Sequence, residues 1–461
     1  MQYDTDWDLA VVGSGGAATA AAITASRAGR SVVLVERGSL GGTCVNVGCV
    51  PSKTLLAAAA ARHGALTNPF PGAPTTAGAV DMTALVAQKD ELVGRLRQAK
   101  YADVATAYGF EVRPGQARFR DPHTLVVDGR ALRAGAYLVA TGAEPAIPDL
   151  PGLDQVEYLT STTAMELTDL PRSLVVIGGG YVGTEQAQLF AHLGVDVTLV
   201  GRLAPRAEPE LAQRLRQVFA DDGVSVVEEH ASRVEHSGGG VAVITSSGRR
   251  VTGGRLLVAT GRRARTDGLD VSAAGIEVDE RGFVTVDAHQ RTTNERVWAA
   301  GDVTGAPQYV YVAAATGRVA ATNALGIGDA PAEVDYTGMP QVMFTHPQLA
   351  SAGITETEAQ LRGIRCACRV LDLADVPRAL VNRETRGAIK LLADADTGKI
   401  LGVHALADSA GEIMLAATYA IKAGMTVDDL ATTWAPYLTM AESLRLVAGL
   451  FGNQMPTSCC A

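Results

Sequence analysis

The chain has 461 residues, of which 49 are acidic and 40 are basic, so its formal net charge is −9. This length exceeds what one hydrophobic core usually supports and favours two to four domains. The acidic balance argues against a nucleic-acid partner. No apolar run of roughly 18 residues or more predicts a membrane span, and no signal-peptide pattern opens the chain, so a cytoplasmic enzyme is expected.

The first predicted unit occupies residues 8–36 and reads as a strand, a glycine-rich turn, a helix and a second strand. Gly13, Gly15 and Ala18 give the turn the small residues that let a pyrophosphate approach the helix N-terminus. Glu36 closes the second strand, where a carboxylate can bond the ribose of FAD or NAD. We therefore predict a dinucleotide-binding module, with ordinary tight turns as the alternative.

The same pattern recurs at residues 174–202, with glycines at three positions: Gly178, Gly180 and Gly183. Here Gly201 stands where the first unit has its carboxylate, and Arg202 and Arg206 follow. Arginine pairs with a 2′-phosphate that a carboxylate would repel. The second module is therefore predicted to bind NADPH rather than NADH. The alternative for Arg202 is a solvated surface arginine.

Two further stretches favour FAD in the first module. Residues 137–145 predict a strand that enters a tight turn at Thr141 and Gly142. Residues 297–305 place Asp302 at a strand end, where its carboxylate can bond ribityl hydroxyl groups. A cap or turn residue is the alternative for Asp302.

Residues 41–53, GGTCVNVGCVPSK, carry the predicted chemistry. Four residues separate Cys44 from Cys49, and the first turn of a helix can bring the two together. A helix N-terminus lowers the pKa of a thiol. Lys53, one turn further on, places a positive charge where it would stabilise a reduced, anionic flavin. Two unrelated buried cysteines are the alternative.

The C-terminal stretch 336–461 has no phosphate-binding loop and alternates strand and helix patterns, which predicts an α+β domain. Cys366 and Cys368 have the period-2 spacing of one strand face, and we expect packing rather than metal binding from them. The chain ends with Cys459 and Cys460. The Cα atoms of adjacent residues lie closer together than those of a relaxed disulfide. We therefore predict that these two residues form a mobile dithiol.

Together these motifs resemble the FAD-dependent pyridine nucleotide–disulfide oxidoreductases, and the signature at residues 341–359 resembles the opening of their dimerisation domain. The resemblance implies an α/β fold with two Rossmann-like modules and a C-terminal α+β dimerisation domain. The implied boundaries are residues 1–150 for the first part of the FAD domain, 151–267 for the NADPH domain, 268–335 for the return to the FAD domain, and 336–461 for the interface domain.

The resemblance also implies individual roles. Cys49 would contact the flavin and Cys44 would exchange with the substrate, while Glu185 would pair with Lys53 and Tyr181 would cover the flavin where nicotinamide enters. Further FAD-binding positions implied in this way are Gly42, Thr43, Lys53, Ala117 and Val310.

Members of the family that reduce organic disulfides carry a histidine base near the C-terminus, followed by a glutamate. In this sequence Tyr437 occupies the histidine position and Glu442 the glutamate position. A phenol with a pKa near ~10 is a poor base at neutral pH. The substrate is therefore expected to need no thiol proton transfer, as holds for a soft metal ion bound by thiolates. The alternative for Tyr437 is a core tyrosine at a dimer interface.

The resemblance to the mercury-reducing branch of this family implies NADPH-dependent reduction of Hg(II), taken up as thiol complexes, to Hg(0). Tyr101 and Tyr437 would flank the metal in the active site. Cys459 and Cys460 of one subunit would deliver the ion to Cys44 and Cys49 of the other, so a homodimer is expected. Many members carry an N-terminal metal-binding domain, whereas this sequence begins directly at the FAD module. The alternatives are a thioredoxin- or glutathione-type disulfide reductase and a non-catalytic flavin- or metal-binding protein.

Overall fold

The structure is a computed structural model that describes residues 6–452. Its first domain contains the elements β1 Trp7–Val12, α1 Gly16–Arg27, β2 Val32–Glu36, α2 Gly42–Asn46, α3 Cys49–Leu66, α4 Met82–Arg97, α5 Asp103–Tyr108, β3 Glu111–Pro114, β4 Ala117–Asp121, β5 Thr124–Val127, β6 Arg130–Leu132, β7 Ala134–Val139 and β8 Ala143–Pro145. A π-helical turn, Gln98–Ala102, joins α4 to α5.

The second domain contains α6 Ser161–Ala164, β9 Ser173–Ile177, α7 Tyr181–His192, β10 Asp196–Val200, α8 Pro209–Asp221, β11 Ser225–Val227, β12 Ala231–Ser237, β13 Gly240–Thr245, β14 Arg250–Gly253 and β15 Arg255–Val258. The chain then continues through β16 Arg262–Ala264, β17 Val297–Ala299 and α9 Val310–Ala324. Strand β16 pairs with β8 in an antiparallel ribbon between the two domains.

Two parallel sheets form the centres of these domains. The first has the strand order β17-β7-β1-β2-β3, so the chain returns to the first domain after passing through the second. The second sheet has the order β11-β10-β9-β15. The continuous apolar runs in β2 and β9 suit strands that are buried on both faces.

Each parallel sheet packs against helices on one face and a three-stranded antiparallel sheet on the other. The antiparallel sheets are β4-β5-β6 and β12-β13-β14. On the helical face of the first sheet, α1 and α9 come into backbone contact: a Cβ on Gly317 would lie 2.1 Å from the carbonyl oxygen of Ala17. This packing fixes the N-terminus of α1 at the end of β1.

The C-terminal domain contains β18 Pro340–Met343, β19 Gln348–Gly353, α10 Glu356–Leu361, β20 Cys366–Asp372, α11 Pro377–Asn382, β21 Ala388–Asp394, β22 Ile400–Ala407, α12 Ala410–Lys422, α13 Val427–Thr432 and α14 Glu442–Gly449. Its five strands form an antiparallel sheet with the order β18-β19-β22-β21-β20. The predicted fold class, two Rossmann-like modules followed by an α+β domain, is confirmed.

One helical stretch within the described residues, Gly42–Leu66, is long and apolar enough to cross a membrane by length and composition. A single stretch of this kind is weak evidence, because a helix packed in a protein core passes the same test. Leu55 and Ala59 of this stretch are buried in a core cluster with Ala187 and Phe190 of α7.

Candidate active site

The cysteine pair predicted to carry the chemistry lies where α2 gives way to α3. Cys44 is half-buried within α2, and Cys49 is exposed as the first residue of α3. Gly48 makes the turn between the two helices, since a Cβ there would lie 2.9 Å from the carbonyl oxygen of Thr43. The Cys44 thiol donates a hydrogen bond to Cys49. Both cysteines are free thiols in this structure.

The two thiols have different acidities. The hydrogen bond from Cys44, helped by the positive charge of Lys53, outweighs burial and lowers the pKa of Cys49 to about 7. Donating that hydrogen bond, together with burial, raises the pKa of Cys44. A thiol with a pKa near neutrality is the more nucleophilic and metal-binding member of a pair at physiological pH.

The lysine beside this pair is joined to the other two domains. Nζ of Lys53 lies 2.7 Å from Oε2 of Glu185, a buried residue of α7. Oε1 of Glu185 accepts a hydrogen bond of 2.9 Å from the backbone N–H of Phe344. Nζ of Lys53 also lies 4.7 Å from the centre of the Phe344 ring. The contact expected between Lys53 and Glu185 therefore sits where all three domains meet.

Tyr101 lies next to the cysteine pair, on the π-helical turn Gln98–Ala102. Turns of this kind are frequent at functional sites. A Cβ on Gly41 would lie 3.1 Å from the Tyr101 ring, so a glycine is needed where the ring approaches the loop before Cys44. Burial, followed by the charges of the two thiols, raises the pKa of Tyr101 to about 12. Tyr101 thus carries its hydroxyl proton at neutral pH.

The first glycine loop has the geometry of a phosphate-binding turn. Gly13 has a φ of +111°, and a Cβ there would lie 2.4 Å from the carbonyl oxygen of Ala140. Gly15 caps α1, Ala18 is fully buried, and a Cβ on Gly42 would lie 2.6 Å from the Cα of Gly15. The helix N-terminus is therefore open to a pyrophosphate.

Glu36 lies at the end of β2, and the residue that orients it was not anticipated from the sequence. Oε2 of Glu36 accepts a hydrogen bond of 2.5 Å from Oγ of Ser14, and Oε1 accepts one of 2.7 Å from the backbone N–H of Gly38. Oγ of Ser14 in turn accepts a hydrogen bond of 3.0 Å from the N–H of Gly41. The position of Ser14 inside the glycine loop was the available signal.

The remaining positions predicted for FAD are more widely spread. Thr141 and Gly142 follow β7, Thr43 lies within α2, and Val310 begins α9, where its side chain would touch a Cβ added to Gly16 at 3.1 Å. Ala117 is buried on β4.

A carboxylate and an arginine face each other near the end of β17. Oδ2 of Asp302 lies 3.5 Å from Nη2 of Arg262, and burial raises the pKa of Asp302. Among the described residues, the buried Oγ1 of Thr141 and Nε of Arg262 have no hydrogen-bond partner within the chain. These polar atoms, with the glycine loop and Glu36, fit an FAD molecule.

The second glycine loop repeats the first. Gly178 has a φ of +113°, a Cβ on it would lie 2.3 Å from the carbonyl oxygen of Ala259, and Gly180 caps α7. A Cβ on Gly183 would lie 1.9 Å from the carbonyl oxygen of Gly178, so this position admits no alanine without movement. The loop fits a second dinucleotide.

The residues beyond β10 differ from those beyond β2. Gly201 has a φ of +140°, and both Arg202 and Arg206 are exposed. Arg202 lines a surface cavity together with Arg216 and His230. This end of the second module is therefore positively charged where the first module presents Glu36.

Tyr181, the first residue of α7, lies in a cluster of three tyrosines. Its hydroxyl donates a hydrogen bond of 3.1 Å to Oε1 of Gln341, and its ring meets that of Tyr309 edge to face at 6.2 Å. The ring of Tyr309 stacks on that of Tyr311 at 5.3 Å. Burial raises the pKa of each of these tyrosines. Sequence reasoning identified only Tyr181, although Tyr309 and Tyr311 stand out in a chain with few aromatic residues.

Tyr437 and Glu442 lie in the C-terminal domain. Tyr437 is exposed on the same surface segment as Trp434, which is 98% exposed. Glu442 begins α14 and is buried; Oε2 accepts from the backbone N–H of Leu438 at 3.2 Å, and Oε1 lies 3.2 Å from Nη2 of Arg445. The tail residues Cys459 and Cys460 lie outside the described residues.

Comparison with known proteins places this arrangement in a family. Residues 7–317 match the pyridine nucleotide-disulphide oxidoreductase family, and residues 339–448 match the dimerisation domain of that family. The chain is 52% identical to a mercuric reductase of Streptomyces lividans, over 100% of both chains. It is 46% identical to a mercuric reductase of Lysinibacillus sphaericus, over 99% of this chain and 85% of the relative.

A solved structure resembles the fold closely. The Cu(II) complex of the HOCl-induced flavoprotein disulfide reductase RclA from Escherichia coli superposes with a TM-score of 0.86. It is 30% identical in sequence, and the match covers 96% of this chain and 99% of that one.

Proposed function

The chain belongs to the pyridine nucleotide-disulphide oxidoreductase family, and on that premise we propose that it uses NADPH and FAD to reduce Hg(II) to Hg(0). The reaction consumes NADPH and Hg(II) and yields NADP⁺, a proton and neutral mercury. The role would be mercury detoxification in the cytoplasm. Relatives that match the whole chain and are named mercuric reductases support this choice within the family.

The observation that carries the proposal is the chemistry around the cysteine pair. Cys44 and Cys49 form a hydrogen-bonded dithiol beside Tyr101, and Lys53 brings a positive charge to it. The last histidine in the sequence is His404, so the segment around Tyr437 supplies no imidazole base. A site that must return protons to a leaving thiol needs such a base. A site that holds a soft cation between two thiolates does not.

The residues of the two glycine loops would hold the cofactors. Gly13, Gly15 and Glu36 would bind the pyrophosphate and ribose of FAD, with Thr141, Arg262 and Asp302 nearer the flavin. Gly178, Gly180 and Gly183 would hold the pyrophosphate of NADPH, and Arg202 and Arg206 its 2′-phosphate. Bound FAD would supply the two-electron chemistry that links NADPH to the metal.

The side chains of this chain have separate tasks in that reaction. Cys49, with its pKa of about 7, is half thiolate near neutrality, and Cys44 loses its proton when the metal binds. Lys53 would stabilise negative charge at the flavin, and Glu185 holds Lys53 in place. Tyr181 would turn aside to admit nicotinamide. Neutral mercury has little affinity for thiolates, so its release is favourable.

The dimerisation domain indicates a homodimer. We propose that Tyr437 and Glu442 of one subunit complete the active site of the other, and that Cys459 and Cys460 deliver Hg(II) there as a ligand exchange between thiolates. The exposure of Tyr437 and Trp434 in the described chain supports this arrangement, because an aromatic surface of this kind is typical of an interface.

The deciding experiment measures NADPH oxidation by the purified flavoprotein with different electron acceptors. Hg(II) in the presence of excess thiol should drive turnover and release mercury vapour, with NADPH preferred over NADH. Turnover with oxidised thioredoxin or glutathione but not with Hg(II) would favour the disulfide-reductase alternative. Flavin reduction without turnover on any of these acceptors would favour a non-catalytic binding protein. Replacing Cys459 and Cys460 with alanine should slow mercury turnover and leave flavin reduction by NADPH normal.

A further inference from the structure

A second pair of thiols lies far from the first in sequence, at the edge of the C-terminal sheet. Cys366 and Cys368 are on β20, the last strand in the sheet order. They pair with Asp394 and Leu392 of β21, so both side chains point to one face of the sheet. Both are half-buried, which leaves them open to a small ligand.

The spacing of this pair favours two thiols over a disulfide. Residues two apart on a strand have Cα atoms roughly 6.6 Å apart with parallel Cα–Cβ bonds, whereas a disulfide needs Cβ atoms roughly 3.5–4.5 Å apart. The two side chains nevertheless project from the same face of β20, since Cys366 and Cys368 pair with Asp394 and Leu392 of β21. Two thiols in this arrangement can hold one ligand between them, while the backbone resists joining them covalently.

The surroundings of the pair are negatively charged. Lys390, which lies on the same sheet face, is fully buried, and its Nζ contacts three carboxylates at 2.8, 3.0 and 2.7 Å: those of Glu208, Glu210 and Glu356. One ammonium among three carboxylates leaves an excess of negative charge. Carboxylate charge that Lys390 does not balance favours a divalent cation at the neighbouring thiols, since binding neutralises the thiolates that it creates.

We propose that Cys366 and Cys368 form a second binding site for a soft, thiol-seeking cation such as Hg(II), separate from the Cys44–Cys49 pair. Binding is a ligand exchange in which two sulfur–metal bonds to small thiols break and two to the protein form. The two protons of Cys366 and Cys368 go to the departing thiolates, and nothing is oxidised or reduced. This departs from the packing role expected from the sequence, and the binding does not depend on the proposed reductase activity.

The site lies beside the base of the C-terminal tail. Arg369, the next residue on β20, donates from Nη1 to the carbonyl oxygen of Cys368 at 2.9 Å and from Nε to that of Leu450 at 3.2 Å. Its guanidinium lies 5.0 Å from the centre of the Phe451 ring. These contacts place Cys368 next to the end of the described part of the chain.

The test uses binding rather than turnover, so its failure is distinct from failure of the proposed reductase activity. The full-length flavoprotein is prepared with Cys44, Cys49, Cys459 and Cys460 replaced by serine. It is dialysed against Hg(II) in excess free cysteine, and the retained metal is measured. We expect one Hg(II) per chain, and at least tenfold less when Cys366→Ser, Cys368→Ser or both are added. No retention, or equal retention in the added variants, would overturn the proposal.

A second measurement avoids multiple substitutions. The native flavoprotein is treated with the bis(cysteine) complex of Hg(II), unbound complex is removed, and the protein is alkylated with a maleimide and mapped by mass. The peptide containing Cys366 and Cys368 should be protected in the native chain. In the Cys366→Ser variant, the remaining Cys368 should be labelled, because a single thiol cannot compete with free cysteine. A native peptide labelled as fully as without mercury would contradict the site.

Discussion

The two thiol pairs of this chain each have a lysine nearby, yet their acidities differ widely. Lys53, beside Cys49, contacts one carboxylate, Glu185. Lys390, beside Cys368, contacts three. The pKa of Cys49 is lowered to about 7, chiefly by the hydrogen bond from Cys44, whereas burial and Glu356 raise that of Cys368 to about 12. The effect of a nearby lysine on the pKa of a thiol therefore depends on the carboxylates that surround that lysine.

Placement adds to this difference in charge. Cys49 is exposed at the N-terminus of α3, where unpaired N–H groups favour a thiolate. Cys368 lies within a strand, where the backbone groups are directed along the sheet rather than at the side chain. The first pair is thus prepared for nucleophilic and redox chemistry, and the second remains protonated until a cation displaces its protons.

The largest expected contrast between the pairs is in the rate of alkylation. At pH 7 a thiol of pKa about 7 is half ionised, while one of pKa about 12 is ionised to roughly one part in 10⁵. The greater nucleophilicity of the more basic thiolate recovers about two of those orders of magnitude. We expect Cys49 to react with iodoacetamide on the order of 10²–10³-fold faster than Cys368 in the reduced native protein.

Time-resolved mass mapping of the labelled peptides measures this ratio. The unfolded protein is the control, because its cysteines should react at similar rates. Equal rates in the native protein would show that the two environments do not control the reactivity of the thiols toward iodoacetamide.

The next largest effect concerns the lysine of the second pair. Replacing Lys390 with methionine leaves the carboxylates of Glu208, Glu210 and Glu356 facing one another without a cation. Breaking a buried ion pair by removing one partner costs about 3–5 kcal/mol. We expect the free energy of unfolding in urea to fall by about 3 kcal/mol, with the second domain and the C-terminal domain losing their contact first.

The control for that substitution is Lys422→Met, which removes an exposed lysine paired with Asp335. Exposed pairs contribute little, so this variant should unfold near the native midpoint. If Lys390→Met unfolded there as well, the charge excess described around Cys368 would be wrong.

The lysine of the first pair should act on acidity rather than on stability. The charge of Lys53 lowers the pKa of Cys49, so Lys53→Met should raise that pKa by roughly one unit. The thiolate present at pH 7 would fall from about half to about a tenth. A pH titration of the thiolate absorbance in the reduced protein measures the shift. Lys53→Arg keeps the positive charge, so Cys49 should titrate near its native pKa in that variant. An unchanged midpoint in Lys53→Met would show that Lys53 does not lower the pKa of Cys49.

The sequence predicts those parts of the two sites whose residues lie close together along the chain. It does not predict the parts whose residues are far apart along the chain. The approach of Cys44 to Cys49, the glycine loops and the place of Glu36 follow from short-range spacing, because each lies within one strand–turn–helix unit. The pairing of Lys53 with Glu185 spans 132 positions, and only the family resemblance indicated it. Ser14 was not predicted as the partner of Glu36, although its position inside the glycine loop was an available signal.

The surroundings of the second pair could not be read from the sequence. Period-2 spacing places Cys366 and Cys368 on one face of a strand, but it does not reveal what covers that face. The carboxylates arrive from two other elements: Glu208 and Glu210 from the start of α8, in a different domain, and Glu356 from α10. Such contacts depend on how domains pack. The packing role of the two cysteines stays a prediction, and it was made without knowledge of these neighbours.

The smallest expected effect separates two explanations of the high pKa of Cys368. Glu356→Gln removes a negative charge near the thiol and also frees part of the charge of Lys390. Glu210→Gln frees Lys390 to a similar degree, since Glu210 lies 3.0 Å from the same Nζ, whereas the largest charge effect on the pKa of Cys368 comes from Glu356. If Glu356 acts directly, only Glu356→Gln should lower that pKa, by about half a unit, and speed alkylation of Cys368 roughly twofold once the lower nucleophilicity of the less basic thiolate is included. Equal acceleration in the two variants would show instead that Lys390, once freed from one carboxylate, controls the acidity of Cys368.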